Sequence, residues 1–132
     1  MQRGRIAGNR IHRARDWCTY VKGGSASIVV EANHVHDCGT GGITAGQGTG
    51  LEFMTPPWIR YEAYDVSVRN NVIHDVEGAG VGVNGGYDVV VAHNSMQRVG
   101  ERDHVIEVVF GERSCDGNAT RCAARVAAGG WG

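Results

Sequence analysis

Four copies of one short pattern constrain this chain more than any other feature. They are RIAGNRIH at 5–12, VVEANHVHD at 29–37, SVRNNVIHD at 67–75 and VVAHNSMQR at 90–98. Aligned on Asn9, Asn33, Asn71 and Asn94, they lie 24, 38 and 23 residues apart, and the middle spacing is one repeat plus an insertion. Two residues after each Asn stands an apolar side chain: Ile11, Val35, Ile73 and Met96. Three residues before it stand Ile6, Val30, Val68 and Val91. Apolar residues alternate with polar ones on both sides, so each copy reads as two short strands bent at the Asn. A third strand follows in CTYVKGG, GITAGQG, GVGVNGG and VIEVVFG, with the fourth copy shifted by two so that Ile106 and Val108 match Val81 and Val83.

A unit of this length cannot bury its apolar face alone, whereas stacked units share a continuous core. The gaps between strands are too short and too glycine-rich for a helix of ten or more residues, and Gly accounts for 21 of 132 residues. A leucine-rich repeat is excluded as well, because Leu51 is the only leucine. The architecture that remains is all-β, a parallel β-helix of about four rungs over 1–122, with an insertion at about 53–64 and an irregular tail at 123–132. Neither end carries an evident cap, so further rungs outside this sequence are expected.

The N-x-I-H-D copies with their trailing glycine-bounded strands resemble right-handed parallel β-helix repeats of the pectin-lyase-like superfamily, over about residues 3–111. That resemblance implies the fold. It leaves activity open, because lyases, hydrolases, esterases, epimerases and adhesins share it. The motifs of polygalacturonases and alginate epimerases are absent, and only Asp103-His104 is left of a pectate-lyase-like pattern. In folds of this kind an inward Asn at a bend stacks on its counterpart, so Asn9, Asn33, Asn71 and Asn94 are expected to form a structural ladder.

Two functions stand side by side: a carbohydrate-active domain, lyase- or hydrolase-like, on an extracellular polysaccharide, and a non-catalytic structural or glycan-binding module. For catalysis the candidates are Lys22, Glu52, His104, Glu107 and Arg113, on or near the third strands. A base, an acid and a cation that neutralises a uronate suit β-elimination, while a carboxylate pair suits glycoside hydrolysis. For binding, the insertion offers Trp58, Arg60, Tyr61 and Glu62, with Asn84 beside it, since sugars stack on aromatic faces. The opposing reading is an insertion that folds back and buries its own rings. No cofactor is expected, with Ca2+ the ion in the case of a lyase.

His12, His36 and His74 follow each Asn by three residues and are expected to form an outward row near His34, with Asp37 and Asp75 beside it. Imidazoles ligate Zn or Cu, but a flat, open row is a poor cage, so no metal is assigned. Five arginines in the first fifteen residues (Arg3, Arg5, Arg10, Arg13 and Arg15) form either an anion patch or a solvated face. Lys+Arg 13 against Asp+Glu 14 argues against a nucleic-acid partner. No apolar run approaches the about 20 residues that span a bilayer, so no membrane partner is expected. Cys115 and Cys122 bracket a short loop suited to a disulfide, whereas Cys18 and Cys38 differ in their offsets from the Asn and are not assumed to pair. These cysteines suggest a secreted or cell-surface protein, although no signal peptide follows Met1.

Overall fold

The computed structural model describes residues 1–50 and 61–110. Each repeat supplies three strands, and each strand pairs in parallel with its counterpart in the next repeat. The first sheet holds β1 (Gln2–Ala7), β4 (Ser25–Glu31), β7 (Ala63–Arg69) and β10 (Gly86–Ala92) in that order. The second holds β2 (Arg10–Ala14), β5 (His34–Cys38), β8 (Val72–Val76) and β11 (Ser95–Val99). The third holds β3 (Trp17–Val21), β6 (Gly41–Ala45), β9 (Ala79–Asn84) and β12 (Ile106–Val109). The result is a right-handed three-sided parallel β-helix of four rungs. Ala63 and Tyr64, grouped with the insertion by sequence, begin β7 instead.

The register follows the repeat. Ile6, Val30, Val68 and Val91 stack in the first sheet, Ile11, Val35, Ile73 and Met96 in the second, and Thr19, Ile43, Val81 and Ile106 in the third. The inner two rungs are sealed: Val30, Val35, Ile43, Val68, Ile73 and Val81 are fully buried. In the outer rungs the equivalent Ile6, Ile11, Val89, Val91 and Met96 are only partly buried.

Left-handed residues recur at fixed places. One set precedes each Asn: Gly8, Ala32, Asn70 and His93. A second set, Arg3, Ser27, Asp65 and Asp88, kinks the first sheet, and a third, Arg13, Asp37, Asp75 and Arg98, kinks the second. A left-handed residue interrupts strict alternation. In β5 the inward Val35 is therefore followed by His36, by the kink at Asp37, and then by Cys38, which is buried again.

The same kink corrects the cysteine expectation. Cys18 and Cys38 are disulfide-bonded, with Cα atoms 5.5 Å apart. Their offsets from the Asn differ because the bond crosses the corner between the second and third sheets, from β3 of the first rung to β5 of the second. Cys115 and Cys122 lie outside the described residues.

Candidate functional site

The corner where the third sheet passes into the first gathers most of the exposed aromatic surface among the described residues. Tyr64 and Tyr87 occupy the same register position in β7 and β10. Their ring centroids are 4.6 Å apart, and Tyr61 lies 5.5 Å from each. Tyr87 is 54% exposed. Asp65 and Asp88 follow these tyrosines at the kinks, and the Asp88 carboxylate raises the Tyr64 phenol above its usual pKa. At the same corner the Lys22 ammonium sits 4.8 Å from the centroid of the exposed Tyr20 ring. Asn84 ends β9 three residues before Tyr87, and its buried Oδ1 has no hydrogen-bond partner among the described residues. A buried acceptor left open is costly unless water or a ligand donates to it.

Glu62 departs from its expected place. It is fully buried rather than ligand-facing. Its carboxylate accepts hydrogen bonds from the Gly23 amide (2.7 Å), the Thr49 hydroxyl (2.8 Å) and the Thr49 amide. It ties the turn after β3 to the end of the insertion, so its work is structural. A carboxylate with no exposed surface cannot reach a polysaccharide.

The described members of the proposed catalytic set are not brought together. Tyr20, Thr44, Gly82 and Glu107 share one column of the third sheet. With strands about 4.8 Å apart, Glu107 stands about 14 Å along the stack from the rung of Lys22. The Trp17 indole also fills the middle of this face: a Cβ at Gly41 would lie 2.2 Å from it, and one at Gly82 2.4 Å. Thr44 and Gly82 are buried, so the column forms no continuous groove among the described residues. The exposed His104 lies between β11 and β12, at the opposite corner from Lys22. Glu52, Trp58, Arg60 and Arg113 lie outside the described residues.

The second sheet carries a denser polar array. His12, His36 and His74 stack with nearly parallel rings at centroid spacings of 4.8 and 5.0 Å. The row is less open than strand alternation suggests, since His36 is only 7% exposed. His36 receives a hydrogen bond from Arg10 Nε at its Nε2 (3.1 Å) and meets Asp37 through Nδ1 (2.7 Å). Arginine has no acceptor, so His36 is neutral with its proton on Nδ1. His74 meets Asp75 through Nδ1 (2.5 Å), and Arg98 Nη2 donates to the same carboxylate (2.7 Å). These contacts hold the Asp75 carboxyl well below the usual range, with Arg98 the larger cause. The arginine-rich start is also partly paired: Arg5 and Arg69 both donate to Glu31, at 2.6 and 2.8 Å. In the cleft beside this array, Asp37, Asp75 and Glu77 are likewise engaged, by His36, by His74 with Arg98, and by Arg102.

His34 leans between these rings. Burial and then the neighbouring His36, His74, Arg10 and His12 push its pKa below the ordinary imidazole value. Asp37 and Asp75 are the carboxylates of the same face, engaged by His36 and His74. The unfolded chain therefore takes up this proton more readily than the fold does, so stability rises with pH. The melting temperature is expected to fall as pH drops from about 7 through the histidine range, and His34→Gln should flatten that slope. A second decline, as pH falls through and below the ordinary carboxylate range, reports the loss of ionised Asp75. Equal slopes between neutral pH and the carboxylate range in both proteins would contradict the assignment to His34.

The family model described as a right handed beta helix region matches residues 2–110. No curated protein and no solved structure matches the chain.

Proposed function

The chain belongs to the right-handed β-helix family, and from that premise we propose that it is a binding module for an extracellular polysaccharide, held at the corner between the third and first sheets. The observation that carries this reading is the surface cluster of Tyr61, Tyr64 and Tyr87, with ring centroids 4.6 to 5.5 Å apart. Aromatic faces offer sugar rings an apolar platform, and the hydroxyl edges of such rings need polar partners beside it. Asn84, half-buried at the end of β9 three residues before Tyr87, brings a side-chain amide to the same corner. Asp65 and Asp88 accept hydroxyls and repel carboxylates, which favours a neutral glycan over a polyuronate. Binding without cleavage fits the described residues better than lyase or hydrolase chemistry, because Lys22, His104 and Glu107 are dispersed over the solenoid. The reading needs no Ca2+. The Cys18–Cys38 bond supports an oxidising, extracellular setting.

Affinity electrophoresis through gels containing a neutral glucan, a xylan or polygalacturonate tests the proposal. Retardation is expected in at least one of the neutral gels. Tyr64→Ala and Tyr87→Ala should each weaken it about fivefold, as a stacking contribution of about 1 kcal/mol requires. Unchanged retardation in both variants contradicts the tyrosine platform, and retardation by polygalacturonate alone contradicts the neutral class. New reducing ends or unsaturated products from any of the three polymers would restore the catalytic reading.

A further inference from the structure

The histidines of the second sheet lie on a different face from the tyrosine corner and have no part in the reading above. His34 stands beside the flat row of His12, His36 and His74. Its ring centroid is 4.8 Å from His36 and 4.9 Å from His74, which are 5.0 Å from each other, so the three rings form a nearly equilateral triangle. Inside the triangle the Nε2 atoms of His34 and His74 face each other at 2.7 Å. The other ring nitrogen of His74 is held by Asp75, and Arg98 clamps that carboxylate in turn. Asp75 thus keeps a proton on His74 Nδ1, and one proton bridges the two Nε2 atoms. A carboxylate that fixes one nitrogen and leaves Nε2 as a lone-pair donor is the outer-shell arrangement found behind histidine metal ligands.

The 2.7 Å between His34 and His74 Nε2 is a hydrogen-bond contact, and turning the two rings brings both nitrogens within bonding reach of one ion. Among the described residues no three His, Cys, Asp or Glu side chains converge on one point, so the protein supplies two ligands and water completes the coordination. We propose that His34 and His74 form a two-nitrogen site for Cu2+, the first-row divalent ion that imidazole holds most tightly. On binding, the ion takes the place of the bridging proton, which passes to His34 Nδ1 or to solvent. Both imidazoles stay neutral, and each turns to aim its lone pair at the metal. His34 is free to do so, because among the described residues its ring makes no hydrogen bond other than the one to His74.

Calorimetric titration of the whole chain with Cu2+ at slightly alkaline pH, paired with electron paramagnetic resonance, tests the site. Micromolar or tighter binding is expected, with a spectrum showing two equatorial imidazole nitrogens and with Zn2+ bound more weakly. His34→Ala should weaken Cu2+ at least about tenfold, and Asp75→Asn, which keeps both ligands but loosens the outer shell, by about tenfold. His93→Ala, in the turn before Asn94, should change nothing. Far-UV circular dichroism confirms that the His34→Ala strands remain formed. Equal Cu2+ affinity in wild type and His34→Ala overturns the proposal. So does a spectrum without two imidazole nitrogens, or Zn2+ bound as tightly as Cu2+.

Discussion

Replacing Asn71 with alanine is expected to cost the fold about 4 kcal/mol, enough to remove a large share of the stability of a domain this small. Asn71 is 1% exposed and sits in the middle of the ladder. Its Nδ2 donates to the Val30 carbonyl, the Arg69 carbonyl and Asn94 Oδ1, at 2.9 to 3.0 Å. Its Oδ1 accepts from both the backbone amide and Nδ2 of Asn33, each at 3.0 Å. Alanine strands these groups in a site closed to water, and each buried group left unsatisfied costs about 1–3 kcal/mol. Asn71→Asp keeps the acceptor and loses the donors, so it separates the two halves of the effect. Asn9→Ala, at the exposed end of the ladder, should cost no more than about 1 kcal/mol. Urea denaturation followed by circular dichroism reads all three. A loss below about 1 kcal/mol for Asn71→Ala would show that water or rearranged turns replace the ladder.

Removing the Cys18–Cys38 bond is expected to cost about 3 kcal/mol, the loop-closure value for partners 20 residues apart. The bond joins the first rung to the second across a corner, so in the unfolded chain it keeps β3 close to the strand that must pair above it. The double variant Cys18→Ala, Cys38→Ala is the appropriate comparison, because a single change leaves a free thiol beside the core. Wild-type protein under reducing conditions should unfold at the same denaturant concentration as this variant. The tyrosine corner should keep its ligand affinity, since the bond lies at a different edge of the solenoid. A reduced wild type as stable as the oxidised one would mean that the stacked rungs alone set the stability.

Local periodicity made the fold legible. The Asn-anchored pattern placed Val30, Val68, Val35, Ile73 and Val81 in their buried columns, and the two-residue shift of the fourth copy matched Ile106 to Val81 and Val108 to Val83. What escaped depends on how a rung turns. The left-handed residues at Asp37 and Asp75 break alternation, and no spacing rule announces that Arg13 and Arg98 share that column. The same kink, at Asp37, turns Cys38 inward to Cys18. The site was harder to read because its members come from distant turns. Tyr87 belongs to no insertion, and it meets Tyr61 and Tyr64 only because the rungs stack. Glu62 carries the residue type of a ligand contact, yet nothing in its neighbours signals that Gly23 and Thr49 close over it. Trp17 covers the third sheet through the absence of side chains at Gly41 and Gly82, which sequence records only as two more glycines.

The most direct test of polysaccharide binding at the tyrosine corner is a heteronuclear NMR titration of the isotopically labelled chain with an oligosaccharide cut from whichever neutral polymer retards it. Chemical-shift changes are expected at Tyr61, Tyr64 and Tyr87, at the Asn84 side-chain amide, and at Lys22 and Tyr20 on the same corner. The amides of the second sheet, from His34 to Cys38 and from Val72 to Val76, should not move. Changes confined to the second sheet, or absent from the tyrosines at saturating oligosaccharide, would contradict binding at this corner.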